Sequence, residues 1–409
     1  MAEVPDLLRP GMTVYVAGCA GEPTGVLDAI RARPETAADV TVTGVWIPGV
    51  NRFDWTALTP STRARCVFVT PELRAGFARR QVDFLPLHYT RIFPWLRRDA
   101  GIDLAIVTVS PPDADGIVSL GVANDFTPAV LDGPARTLAV VNPAMPATHG
   151  AECYPLDRFD LVTEDSSPLV TMETGDVPPD IAAVGHVIAG LVNDGDTLQL
   201  GLGKVQAAVL QALDGRRDLR IHAGMISDPI LPLLDDGTLT GIVTNVALGT
   251  APLYDRCGAD PRIHFRPTGY THEFGTLRAI PNLIAINSVI EIDLFGQANA
   301  EMLDGRQISG HGGLVDFLRG APCAPGGRSV LATAAGAKGG TVSRIVPRLH
   351  ADTVSTTLRA DADLVVTEHG VADLRHKSVD ERAEALIAIA APGFRDGLAE
   401  AWRGIRAAM

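Results

Sequence analysis

No run of 18 apolar residues occurs in the chain, so no segment reads as a membrane-crossing helix. The first residues, Met1-Ala2-Glu3-Val4-Pro5-Asp6, lack the positive start and apolar stretch of a secretory leader. Cysteine is sparse. Cys19, Cys66, Cys153, Cys257 and Cys323 are scattered, odd in number and form no CxxC pair, which speaks against a disulfide framework and for reduced thiols in a cytoplasm. Positive charge is also in deficit, with 35 Lys and Arg against 48 Asp and Glu and a formal net charge of −13. That excludes general nucleic-acid binding, which needs a basic surface to displace phosphate counterions, but leaves room for a local patch facing one nucleotide phosphate. Neither HExxH nor a paired Cys/His spacing is present, so no metal is expected. Gly203-Lys204 is not part of a GxxxxGK[ST] phosphate loop. Low-complexity tracts and short fixed repeats are lacking too.

What the chain does have is 409 residues, 46% hydrophobic and 20% charged, enough to bury two cores. β-rich runs at Thr13 to Ala17, Val40 to Trp46, Cys66 to Thr70, Leu104 to Val109 and Thr137 to Val141 alternate with helical or turn segments. A polar, proline-bearing stretch from about Glu164 to Pro179 marks a boundary, and the alternation then resumes. Strands are expected at Thr197 to Leu200, Leu219 to Ala223, Gly241 to Val246, Leu283 to Ile286, Ser329 to Ala332 and Leu364 to Thr367. Helices are expected at Ile181 to Val192, Val205 to Leu213, Val379 to Ala391 and Phe394 to Met409. The expected fold class is α/β, as two tandem open α/β domains over residues 1–175 and 176–409, with ligands at the carboxyl ends of strands.

Two glycine-rich turns, Gly201-Leu202-Gly203-Lys204 and Ser309-Gly310-His311-Gly312-Gly313, follow predicted strands or turns and can bring backbone N–H groups to a ligand. Between them in sequence lies Ile221-His222-Ala223-Gly224-Met225-Ile226-Ser227-Asp228, and the three segments are expected to converge on one pocket.

In combination, several stretches resemble the acetyl-CoA hydrolase and carboxylate CoA-transferase family, most nearly in length its 4-hydroxybutyrate CoA-transferase type. In the first half these are Gly21-Glu22-Pro23, Val109 to Asp113, Ser119-Leu120-Gly121 and Asn142 to Gly150. In the second half they are Leu198 to Gly203, Ile221-His222, Ala285 to Ser288, Ser309 to Phe317, Thr341 to Pro347 and Thr367 to Arg375. The resemblance runs along nearly the whole chain. It implies two α/β domains of the CoA-transferase type, a coenzyme A thioester as substrate, a cleft between the domains as active site, and a homo-oligomer.

The resemblance also implies a nucleophilic glutamate two residues after the histidine of a His-Thr-Glu pattern, where it would form an acyl anhydride and then a glutamyl-CoA thioester. Here the pattern reads His222-Ala223-Gly224, and glycine can form neither intermediate. Candidate catalytic residues are therefore His222, His272, Glu273, His311 and Lys204. Glu273 stands in a loop as a possible replacement nucleophile, with His272 beside it as a base near neutral pH. Gly201, Gly203, Gly310, Gly312, Gly313 and Lys338 are the candidate coenzyme A contacts, with Gly312 and Gly313 as oxyanion donors and Lys338 facing a phosphate. Adding Lys204 and His311 while losing an acid would make the pocket more positive, partly offset by Ala147 at a position where the family commonly has arginine. Glu368 and His369 are a further general-base candidate or, equally, a structural ion pair with Arg375.

Three functions fit. The first is an enzyme acting on an acyl-CoA or other pantetheine thioester by hydrolysis, C–C bond chemistry or another non-transferase step. The second is a ping-pong CoA-transferase with a displaced glutamate such as Glu273. The third is a non-catalytic CoA-binding subunit.

Overall fold

The computed structural model describes residues 3–409. Seven parallel strands form the first sheet: β1 (Thr13–Val16), β2 (Thr41–Gly44), β3 (Arg63–Cys66), β4 (Val82–Phe84), β5 (Leu104–Val109), β6 (Arg136–Val141) and β7 (Leu161–Glu164), in the order β4-β3-β2-β1-β5-β6-β7. Eight strands form the second: β8 (Thr197–Gln199), β9 (Leu219–His222), β10 (Leu239–Thr244), β11 (Ile263–Phe265), β12 (Leu283–Ser288), β13 (Arg328–Ala332), β14 (Leu364–Thr367) and β15 (Gly370–Asp373). Their order is β11-β10-β9-β8-β12-β13-β14-β15, and β15 alone runs antiparallel. All strands of the first sheet precede residue 165 and all strands of the second follow residue 196, with the helix Pro179–Ala189 opening the second unit.

The central strands explain why the sheets are parallel and covered. Leu104-Ala105-Ile106-Val107-Thr108-Val109 is buried at every position, as is β12 from Leu283 to Asn287, the continuous apolar reading expected of a strand with helices over both faces. In each sheet the strand order reverses next to the first strand, between β1 and β5 and between β8 and β12. An open α/β sheet leaves a crevice outside the carboxyl ends of the strands at such a point.

The two units are stitched together by backbone hydrogen bonds. Asn124 N–H donates to Asn245 O (3.0 Å), Ala247 N–H to Val122 O (3.0 Å), Phe265 N–H to His149 O (2.8 Å) and Thr268 N–H to Asp125 O (3.0 Å). At Gly150, φ is +77° and a Cβ would stand 2.9 Å from Phe265 O, so glycine is required for this close approach.

The strand expected over Cys66 to Thr70 lies three residues earlier, at Arg63–Cys66. Val67, Phe68, Val69 and Thr70 are buried, but as a wall between the domains rather than as a ladder. Val67 O packs so closely on Gly310 that a Cβ there would stand 2.1 Å away. Among the strands of the two main sheets four were not expected from the sequence: β4, β7 and β11, each at a sheet edge and three or four residues long, and the antiparallel β15.

Candidate active site

A cavity of about 330 Å³ lies where the carboxyl ends of the two sheets meet. From the first domain it takes Cys19 after β1, Val45 and Ile47 after β2, Phe68 after β3, and Tyr89, Asp125 and Phe126. From the second it takes Gln199 and Gly201 at β8, Gly224 after β9, Asn245 after β10, Asn287 and Ser288 at β12, and the loop Ser309 to Gly313.

His272 closes the floor beside Gly224. It follows the short helix Thr268–Thr271, whose first N–H is tied to Asp125 O. The imidazole lies 4.6 Å from the Phe317 ring and 5.0 Å from Tyr89. A Cβ on Gly224 would stand 2.9 Å from His272 Cε1 and 3.1 Å from Nε2, and one on Gly313 would stand 2.3 Å from Nε2. The Nε2 edge is thus wedged between two backbone positions that lack side chains. Nδ1 pairs with Thr271 Oγ1 at 2.9 Å, and among the described residues Nε2 has no protein partner. Burial pushes the ring's pKa down to about 3, and a charge on nearby His222 would push the same way. The imidazole is therefore neutral at physiological pH and too weakly basic for the role of general base expected of it.

Asp125 is the only carboxylate among the described residues lining the cavity. It is fully buried, which raises its pKa to about 6, while N–H groups of Phe126 and Thr127 and the Thr127 hydroxyl pull the other way. A carboxylate with this pKa suits proton transfer near neutral pH. Asn245, Gln199, Gln206 and Asn287 line the cavity with neutral amides, and Asn287 Nδ2 donates to Gln199 Oε1 at 2.8 Å.

The cavity brings together Gly201, His272, Gly310, His311, Gly312 and Gly313. His311 is half-buried, with its ring 4.8 Å from His88. His222 lies behind the wall, donating from Nε2 to Thr271 O at 2.9 Å, and so supports the main chain that carries His272. Glu273 points into solvent. Its carboxylate caps the helix Phe274–Arg278 by accepting Thr276 N–H at 2.8 Å, and the N–H groups of Gly275 and Thr276 hold its pKa below the usual range. Lys204, Gly203 and Lys338 are exposed and outside the lining.

The expected positive pocket is therefore not found, since the described lining contains Asp125 and neither lysine nor arginine. Arg375 pairs with Asp373 at 2.6 Å rather than with Glu368, which instead accepts Ala335 N–H at 2.7 Å. Asn287, Ser288 and Gln199 fall in stretches that carried the family resemblance, but no role was read for them. Asp125 and Asn245 belong to no such stretch, and only the meeting of the two domains reveals them.

The comparisons name the family to which this pair of docked α/β sheets belongs. The chain belongs to the acetyl-CoA hydrolase/transferase family: the family's N-terminal domain matches residues 1–172 and its C-terminal domain residues 249–402. It is 33% identical over 396 residues to 4-hydroxybutyrate coenzyme A transferase of Clostridium kluyveri, covering 94% of this chain and 92% of that protein. It is 34% identical to succinyl-CoA:cyclohexane-1-carboxylate CoA transferase of Geobacter metallireducens, covering 94% and 90%. Among solved structures, RipA from Yersinia pestis superposes with a TM-score of 0.89 at 31% identity, covering 99% of this chain and 96% of RipA.

Proposed function

We propose that this protein hydrolyses an acyl-CoA thioester without passing through an acyl-glutamyl enzyme. One observation carries the reading: the space beside Gly224 is filled by the His272 imidazole, so the wall that would present the family's glutamate presents a neutral ring instead. Asp125 is then the group that can take a proton from an attacking water. The water oxygen bonds to the acyl carbon, the C–S bond breaks, and the proton held by Asp125 passes to the departing thiolate. The products are a carboxylic acid and free coenzyme A. Removing a general base of this kind lowers rates by about 10²–10⁴-fold.

The test is release of free coenzyme A from a panel of acyl-CoAs, with and without acetate. Hydrolysis gives release that does not need acetate and that falls by about 10²-fold or more in Asp125→Asn. Consumption of the acyl-CoA that requires acetate, with acetyl-CoA formed in equal amount and no free coenzyme A released, would overturn the reading.

That outcome would favour a second reading, transfer of coenzyme A to a carboxylate as the names of the transferase relatives suggest, for which Asp125 is the carboxylate in the cavity lining. Glu273, capping a helix in solvent, is placed less well for that role. Binding of acyl-CoA with no turnover would leave a non-catalytic CoA-binding subunit.

A further inference from the structure

His272 is held by a chain of hydrogen bonds whose direction decides which ring nitrogen carries the proton. Asn245 Nδ2 donates to Thr268 Oγ1 at 2.8 Å and to Thr271 Oγ1 at 3.2 Å. With a donor already directed at its oxygen, the Thr271 hydroxyl is left to give its own single proton. Two acceptors compete for it: His272 Nδ1 at 2.9 Å and Pro267 O at 3.5 Å. The shorter contact wins, because hydroxyl hydrogen bonds weaken steeply beyond about 3 Å. Nδ1 then accepts, and a neutral imidazole that accepts at one nitrogen carries its proton on the other.

We infer that His272 acts as a neutral hydrogen-bond donor from Nε2 to the thioester oxygen, and that Thr271 and Asn245 are positioning residues that fix its proton there. This rests on the reading of the cavity as an acyl-CoA site. The geometry supports it in three ways. Nε2 has no protein partner among the described residues, its edge lies in the cavity wall, and the two glycines beside it leave backbone rather than side chains around it. A preorganised donor of this kind stabilises the oxyanion that develops as water attacks, and costs no reorganisation at that moment. The main-chain bond from His222 to Thr271 O fixes the residue on which the relay turns. Where the family's route uses a carboxylate as nucleophile, this chain presents at the same wall a group that polarises the carbonyl.

The relay can be reversed without changing its shape. Asn245→Asp puts an acceptor opposite Thr271, draws the hydroxyl proton towards residue 245 and obliges His272 Nδ1 to donate. Thr271→Ser keeps the hydroxyl and leaves the relay in its original direction. The experiment is ¹⁵N NMR of the full-length protein labelled at histidine, without substrate, together with kcat and KM for the best acyl-CoA. The expected wild-type and Thr271→Ser spectra show His272 protonated on Nε2. Asn245→Asp shifts the proton towards Nδ1, and kcat falls about 10- to 100-fold with KM little changed; full loss of an oxyanion donor costs about 10²–10³.

Protonation on Nδ1 in the wild type would overturn the inference. So would a tautomer shift in Asn245→Asp with kcat unaltered, or kcat loss in that variant with the tautomer unmoved. Because the spectra need no turnover, a wrong tautomer and a wrong substrate class are told apart: the first appears in the ligand-free protein, the second only as failure to release coenzyme A.

Discussion

Gly224 and His272 pack so closely that the missing side chain leaves the room the imidazole occupies. A Cβ at 224 would press on the His272 ring, which is itself confined by Phe317 and Tyr89. Gly224→Ala is therefore expected to lower stability by about 1–3 kcal/mol in denaturant melts, the usual cost of overpacking. Gly201→Ala, where a Cβ would meet nothing within 4 Å, is the control and should stay within ~0.5 kcal/mol. Asp125 supplies a pH signature. Its folded-state pKa, about 6, lies above the unfolded value, so the stabilising contribution of its protonated form is complete below the unfolded pKa and is lost as pH rises through about 6. The stability of Asp125→Asn relative to wild type should accordingly increase between about pH 4 and pH 7, by ~3 kcal/mol at most. If Asp125 is the general base, kcat/KM of the wild type should rise through about pH 6. At this scale the family resemblance implied that a carboxylate is missing from His222-Ala223-Gly224. It did not show what fills the space, because His272 arrives from 48 positions further along.

The elements that carry these residues were legible in proportion to their burial. β5, β12 and β14 read directly from their apolar runs, and the helix Val379–Ala388 falls within the expected span Val379 to Ala391, where the structure adds a capping box of Ser378 and Glu381 at its start. In that capping box Glu381 N–H donates to Ser378 Oγ and Ser378 N–H to a Glu381 carboxylate oxygen. Ser378→Ala should cost about 1 kcal/mol. Ile106→Ala, in the centre of β5, should cost about 2–5 kcal/mol, both read by chemical denaturation. The edge strands were not legible. Val82–Phe84, with an aspartate at its centre, and Ile263–Phe265, with an exposed histidine, are too short to show alternation and form because a neighbouring strand offers its open edge. The misplaced strand at Cys66 to Thr70 has the converse cause. Phe68 lines the cavity and Val67 is buried in the core beside it, and a sequence pattern cannot distinguish that burial from burial in a sheet.

For the whole molecule, two sheets that each reverse strand order beside their first strand are docked with carboxyl ends together, so that one cavity serves both crevices. The α/β class and the coenzyme A thioester family were readable from motifs spread over both halves, and the comparisons agree. The chemistry of the cleft was not, because it depends on which residues the docking juxtaposes. Asp125 from one domain and His272 and Asn245 from the other come together through bonds such as Thr268 N–H to Asp125 O. Glu273, adjacent to His272 in sequence, is turned out to solvent. The central claim, that no acyl group is passed to an enzyme carboxylate, is tested most directly by intact-protein mass spectrometry under turnover with acyl-CoA, with borohydride added to trap any thioester or anhydride. The account predicts an unmodified mass while free coenzyme A accumulates. An acyl or coenzyme A adduct, or its reduction by borohydride to a primary alcohol, mapped to Asp125, Glu273 or any other carboxylate, would contradict it.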